Sequence, residues 1–297
     1  MEHRKTIAYF EVLLAVVAWG GSFVATKIAL QQVSPVTVVW LRFGIGLVIL
    51  GLAVLLRRQF APPRRKDLAY LALVGFIGIT FHQWLQSTGL QTAQATTTAW
   101  IVATTPVFMA LLGWLVLREK LVWWQMLGIG LATLGVLMVV TQGDLQQLRR
   151  GQIGTWGDLL ILISAPNWAV FSVLSRRGLR TYPATLLIFY VMGFGWLFTS
   201  ILFFSGPGLD QITQLNRVGW AAIVFLGVAC SGLAYLFWYD ALDNLPIAQA
   251  GSFVYLEPFI TVLLAAILLN EPLLWSSLAG GGMILVGVTL VQKVRKR

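Results

Sequence analysis

A lone carboxyl and a polar cluster sit inside apolar stretches of this chain, where ionisable groups are rare. Glu257 lies eleven residues after Pro246, and His82, Gln83 and Gln86 fall together in another stretch. At 1.5 Å of rise per residue, Glu257 would lie about 16 Å into a helix beginning near Pro246. A carboxylate so deep is costly unless it faces a cavity, a partner or protons. It could hold a substrate ammonium or carry protons; the plainer alternative is a protonated or hydrogen-bonded structural carboxyl beside a helix break. His82 stands seven residues before Gly89, and Trp100 six after Gln94. In a tight helix hairpin both would lie about 10 Å below one surface and could share a pocket. Histidine can donate to a carboxylate and titrates near neutral pH, and an indole offers a flat face to a ring or a cation. Hydrogen bonding between helices is the plainer account of His82, Gln83 and Gln86, and ordinary packing that of Trp100.

The elements that must position these groups follow from composition. Of 297 residues, 58% are apolar and 11% charged, and the mean hydropathy is +0.81. Soluble domains carry about 25% charged residues, so a soluble fold is excluded. Ten apolar stretches recur, at about 7–30, 35–56, 68–89, 94–117, 121–141, 155–175, 183–204, 218–241, 246–269 and 273–292. Each can cross a hydrocarbon core of about 30 Å as a helix. The expected fold is all-α, a polytopic membrane protein with ten transmembrane helices.

The net charge of +10 lies in short blocks between these stretches rather than in a stripe. Anionic lipid headgroups are therefore the expected partner, and nucleic acid is not. With the N-terminus in the cytoplasm, sixteen of the 21 Lys and Arg fall on that side and three, Arg149, Arg150 and Arg217, on the other. That bias places both termini in the cytoplasm. Lys27 and Arg42 remain inside spans; snorkelling suits the first, and a carbonyl or carboxylate partner the second.

The two halves match. At an offset of 152, Pro106 aligns with Pro258, Glu119 with Glu271, Trp123 with Trp275, and Gly128, Gly130 and Gly135 with Gly280, Gly282 and Gly287. Ala93-Gln94-Ala95 matches Ala248-Gln249-Ala250, and Pro35 matches Pro183. Residues 1–150 and 151–297 thus read as two five-span repeats. Five is odd, so the second copy enters the membrane from the opposite side. Inverted repeats around a midplane site are the architecture of alternating access, which makes a carrier of a small molecule the leading reading.

Trp19-Gly20, Ser22, Phe23, Lys27, Ser34-Pro35 and Arg42-Phe43 resemble the opening pattern of the drug/metabolite transporter superfamily, specifically its ten-span EamA-type exporters. Pro106-Val107-Phe108, Glu119 and the glycines at 128, 130 and 135 resemble that family's fourth and fifth spans. Glu257-Pro258, Glu271-Pro272 and Gly280 to Gly287 repeat the pattern in the second half. The resemblance implies ten helices around a central cavity and export of small metabolites, commonly amino acids or related compounds.

In the second repeat Tyr255 matches Trp100, with Tyr235, Trp238 and Tyr239 on the eighth span and Asn167 and Trp168 on the sixth. An aromatic-lined cavity with a few polar anchors suits a zwitterionic amino acid with a large apolar side chain, so aromatic amino acids are the first expectation. Tryptophan and tyrosine also form interfacial belts, which is the competing account. Pro106 and Pro258 fall inside spans, where each removes a backbone hydrogen bond and could serve as a hinge or fix a static bend. The repeated glycines would let helices pack closely within one chain, which favours a monomer, with a dimer the alternative. Asp240 and Asp243 are expected in solvated or capping roles. Motifs of hydrolases, zinc proteases and P-loop ATPases are missing, and two histidines with one cysteine leave little for a metal. No catalysis, cofactor or metal is expected; an integral-membrane enzyme or a channel is the alternative.

Overall fold

The computed structural model describes residues 2–118, 121–144, 146, 154–242, 244, 245 and 247–292. Glu119, Asp243, Pro246, Arg149, Arg150 and the basic residues after Gln292 lie outside them. Ten helices among the described residues are long and apolar enough to cross a membrane. They are α1 (Arg4–Leu30), α2 (Pro35–Leu56), α3 (Arg65–Gly89), α4 (Ala95–Val116), α5 (Trp123–Val140), α6 (Trp156–Leu179), α7 (Ala184–Ser205), α8 (Arg217–Leu242), α9 (Gln249–Leu268) and α10 (Trp275–Gln292). The all-α, ten-helix expectation holds, with boundaries close to those read from hydropathy.

Local chemistry sets several starts. Ser34 Oγ accepts from Thr37 N at 3.4 Å, and Pro35 opens α2 where a missing N–H costs nothing. Thr155 and Asp158 form a reciprocal capping box at α6, with bonds of 3.1 and 2.7 Å. Asn216 Oδ1 accepts from Val218 N and Gly219 N at 2.9 and 3.0 Å to begin α8.

Four helices are irregular, and they occupy matching places in the two halves. The fourth helix of the first half stops at Val102 and restarts over Thr105–Leu117. The fourth of the second half, α9, passes through a 3-10 turn at Val254–Leu256 and restarts over Glu257–Leu268. Pro106 and Pro258 are each the second residue of the restarted segment, so they open a new helix rather than bend a continuous one. In α4, Thr104 Oγ1 and Thr105 Oγ1 donate to the carbonyls of Ile101 and Val102 at 2.6 and 2.7 Å, satisfying acceptors near the break. The third helices carry π-helical segments, Phe76–Phe81 in α3 and Phe225–Leu233 in α8. Asn167 Nδ2 donates to Ile77 O at 2.9 Å, supplying a partner within the first of these.

The glycine expectation separates into two classes. A Cβ on Gly128 would stand 2.5 Å from Gly287 O, and one on Gly135 2.5 Å from Gly280 O. The contacts thus run crosswise, 128 to 287 and 135 to 280, so α5 and α10 pack antiparallel with their backbones in near contact. Gly130 and Gly282, by contrast, have nothing within 4 Å of an added Cβ. Valine at Gly135 is expected to destabilise the protein by about 1–3 kcal/mol through overpacking, whereas Gly130→Ala leaves it unharmed. Thermal unfolding of the detergent-solubilised variants checks both.

Candidate functional site

Three of the four irregular helices, α3, α8 and α9, bring polar side chains to their irregular segments. His82 and Gln83 follow the π segment of α3 directly, and Ser231 lies within that of α8, with Tyr235 just beyond it. A π segment shifts the helical register, which re-aims the residues that follow. Glu257 is the first residue of the restarted half of α9, where a carboxylate complements the helix dipole.

Arg42 of α2 joins these parts. It is 6% exposed, its Nε donates to Ser231 Oγ at 3.1 Å, and its Nη1 donates to Gln83 Oε1 at 3.4 Å. The guanidinium also sits 4.9 Å from the Phe43 ring centre. Its partners are thus a hydroxyl and an amide carbonyl rather than a carboxylate.

Aromatic rings form the walls. Trp19 packs on Tyr235 and Trp238 with ring centres 5.7 and 5.4 Å apart, and its Nε1 donates to Cys230 O at 3.2 Å. His82 lies 4.7 Å from Trp168, which continues to Phe171 at the same spacing. His82 Nδ1 is sealed without a partner, and several other polar tips here have no hydrogen-bond partner among the described residues. They include the Glu257 carboxylate, Arg42 Nη2, Gln86, the Tyr235 hydroxyl and the indole N–H groups of Trp168 and Trp238.

Trp100 and Tyr255 have other neighbours. Trp100 is 1% exposed and lies against Gly281 and Phe259, among Val107, Ala132, Ile284 and Val288. Its Nε1 is sealed without an acceptor. The Tyr255 hydroxyl donates to Gln292 Oε1 on α10. His82 and Trp100 therefore pack on different neighbours, although the hairpin geometry allowed a common pocket.

Residues 6–141 and again 155–292 match the EamA-like transporter family. The chain belongs to the EamA-like transporter family. It is a multi-pass membrane protein whose relatives are named transporters rather than enzymes. An "uncharacterized transporter" of Archaeoglobus fulgidus is 29% identical, over 93% of this chain and 94% of that protein. The transporter YyaM of Bacillus subtilis is 26% identical, over 91% of this chain and 88% of its own length. A "probable terminal-alkyne amino-acid exporter" of Streptantibioticus cattleyicolor is 26% identical, over 96% of this chain and 93% of its own. A protein of known crystal structure shares the fold, with a TM-score of 0.62 at 20% identity over 98% of this chain and 97% of that one.

In this EamA-family chain two charged ties flank the interior. On the face bearing the N-terminus, Arg57 makes a bidentate pair with Asp240 at 2.6 Å per bond, joining the ends of α2 and α8. Asp240 was expected in a solvated or capping role; its partner is a guanidinium. On the opposite face Glu271 accepts from Ala95 N and Thr96 N at 2.8 and 3.0 Å, capping α4. Lys27 lies 3.9 Å from Glu271 and donates to Ala93 O, so it is tied to protein instead of reaching for water. Beside this tie is a cavity of about 260 Å³ lined by Thr92, Gln94, Thr97, Gln142, Thr155 and Asp158, among others.

Sequence reasoning missed Ser231 and Trp19 as parts of the interior. The signal for Ser231 was present in the Cys230-Ser231-Gly232 triplet inside an apolar span. Trp19 was legible only as part of the Trp19-Gly20 opening pattern.

Proposed function

We propose that this chain is a secondary carrier that exports small amino-acid-like metabolites, with aromatic or large apolar side chains favoured, by alternating access. The observation that carries the reading is the pairing of irregular helices, π segments in both third helices and breaks in both fourth helices. Carriers of this kind build their midplane sites from discontinuous helices of opposed repeats. The site comprises His82, Gln83, Gln86, Trp168, Tyr235, Trp238 and Glu257. Trp100 and Tyr255 stand outside it as packing residues of its supporting wall. Pro106 and Pro258, at the restarted helices, are the hinges. The Arg57–Asp240 and Lys27–Glu271 ties, both formed here, hold the two faces, opening either face breaks its tie, and the cavity beside Lys27 is the outer vestibule. The chain acts as a monomer in a bacterial-type inner membrane, with both termini cytoplasmic and residues 1–150 and 151–297 as its two moving repeats.

The aromatic walls favour a substrate with a ring or branched side chain, and the amino-acid exporter among the relatives is consistent with that class. Reconstitution into liposomes with a panel of labelled amino acids tests the reading. Saturable flux, strongest for phenylalanine, tyrosine or tryptophan, is the expected result. No saturable flux of any amino acid would overturn it.

A further inference from the structure

Arg42 is the seventh residue after Pro35, which places it about 10 Å below the end of α2. A guanidinium cannot shed its proton at accessible pH, so it remains a full charge at that depth. Lys27 and Arg57 each have a carboxylate within 4.0 Å, Glu271 and Asp240 respectively. Among the described residues Arg42 has none. Its two bonded acceptors are neutral, and its Nη2 has no hydrogen-bond partner among the described residues. A buried cation held only by neutral groups is costly, and a bound anion relieves that cost.

Gln83 and Ser231 do more than satisfy two donors. They reach Arg42 from α3 and α8, the two helices with π segments, and so fix the fork while leaving one terminal nitrogen free. A free guanidinium nitrogen suits a carboxylate oxygen, which accepts a charge-assisted bond from it. Glu257 supplies the opposite charge across α1, whose Trp19 donates to Cys230 O beside Ser231 and whose Gly20 packs on the Glu257 carbonyl.

We infer that Arg42 is the anchor for the substrate's carboxylate, held by Gln83 and Ser231, with Glu257 taking the ammonium end. The inference rests on the exporter reading and narrows it to compounds that carry a carboxylate. Amides, esters and simple amines of the same side chain leave Arg42 uncompensated and are poor substrates.

The test uses the full chain in detergent and in liposomes, with phenylalanine and phenylalaninamide as probes. Wild type is expected to bind and carry the acid at least about tenfold better than the amide, the scale of a charge-assisted bond. Arg42→Gln is expected to lose that preference. Gln83→Glu gives Arg42 an internal carboxylate; this variant is expected to fold and to lose acid binding by about tenfold or more. It therefore tests the anchor even where Arg42→Gln does not fold. Unchanged acid affinity in Gln83→Glu, or a retained acid preference in folded Arg42→Gln, overturns the anchor. A wild type that carries the amide as well as the acid also overturns it, while leaving the exporter reading standing. A wild type that carries neither, with no flux of any other amino acid, fails the exporter reading itself.

Discussion

Glu257→Gln is expected to cut transport of an amino acid by about 10- to 150-fold while leaving the protein folded. The isosteric amide keeps the volume and the hydrogen-bonding capacity of the side chain at the start of the restarted segment of α9. What it removes is the charge. Hydrogen bonds to charged groups are worth about 1.5–3 kcal/mol, and 1.36 kcal/mol corresponds to a factor of ten. Because the carboxylate has no ion-pair partner among the described residues, its loss breaks no structural tie. Initial rates in liposomes, with size-exclusion profiles as the control for folding, give the comparison. Wild-type rates in Glu257→Gln would remove Glu257 from the site.

Trp100→Ala should show the opposite pattern, a loss of stability rather than of recognition. The indole fills the space between α4 and α10, where a Cβ on Gly281 would already stand 2.4 Å from Trp100 Cε2. In a lipid-facing protein the transfer term is small, because the reference phase is itself apolar. The void remains. Removing roughly 140 Å³ of side chain at about 24 cal/mol per Å³ predicts a loss of about 3 kcal/mol. Trp100→Phe fills most of that void and forfeits only an N–H that has no acceptor, so its flux should match wild type. Thermal unfolding and flux measured on both variants separate the roles. Lost flux in a stable Trp100→Phe would return the indole to the substrate site.

These two residues mark what could be read from residue types. The ten spans were legible because hydropathy and bilayer thickness constrain the same quantity. The prolines were legible as interruptions, since a missing N–H has the same consequence in any helix. The glycines were legible as packing sites, but which of them face a neighbour depends on the crossing of α5 and α10. That is why Gly128 and Gly135 are in contact while Gly130 is open. The π segments were invisible. They differ from α-helix only in which carbonyl each N–H selects, and no residue type encodes that choice. Their register shift decides that Gln83 meets Arg42. Trp100 and His82 could be placed at one depth by counting, but depth does not fix azimuth, and the two rings pack on different neighbours.

The crosswise contact of Gly128 with Gly287 and of Gly135 with Gly280 carries a consequence for how such a chain can arise. Each half presents to the other the same ridge that it receives, which is the isologous geometry of a two-fold dimer. A half-length polypeptide inserted into the bilayer in both orientations could bury that ridge against its own upside-down copy. Fusion of two such genes would then preserve the seam without needing a new interface.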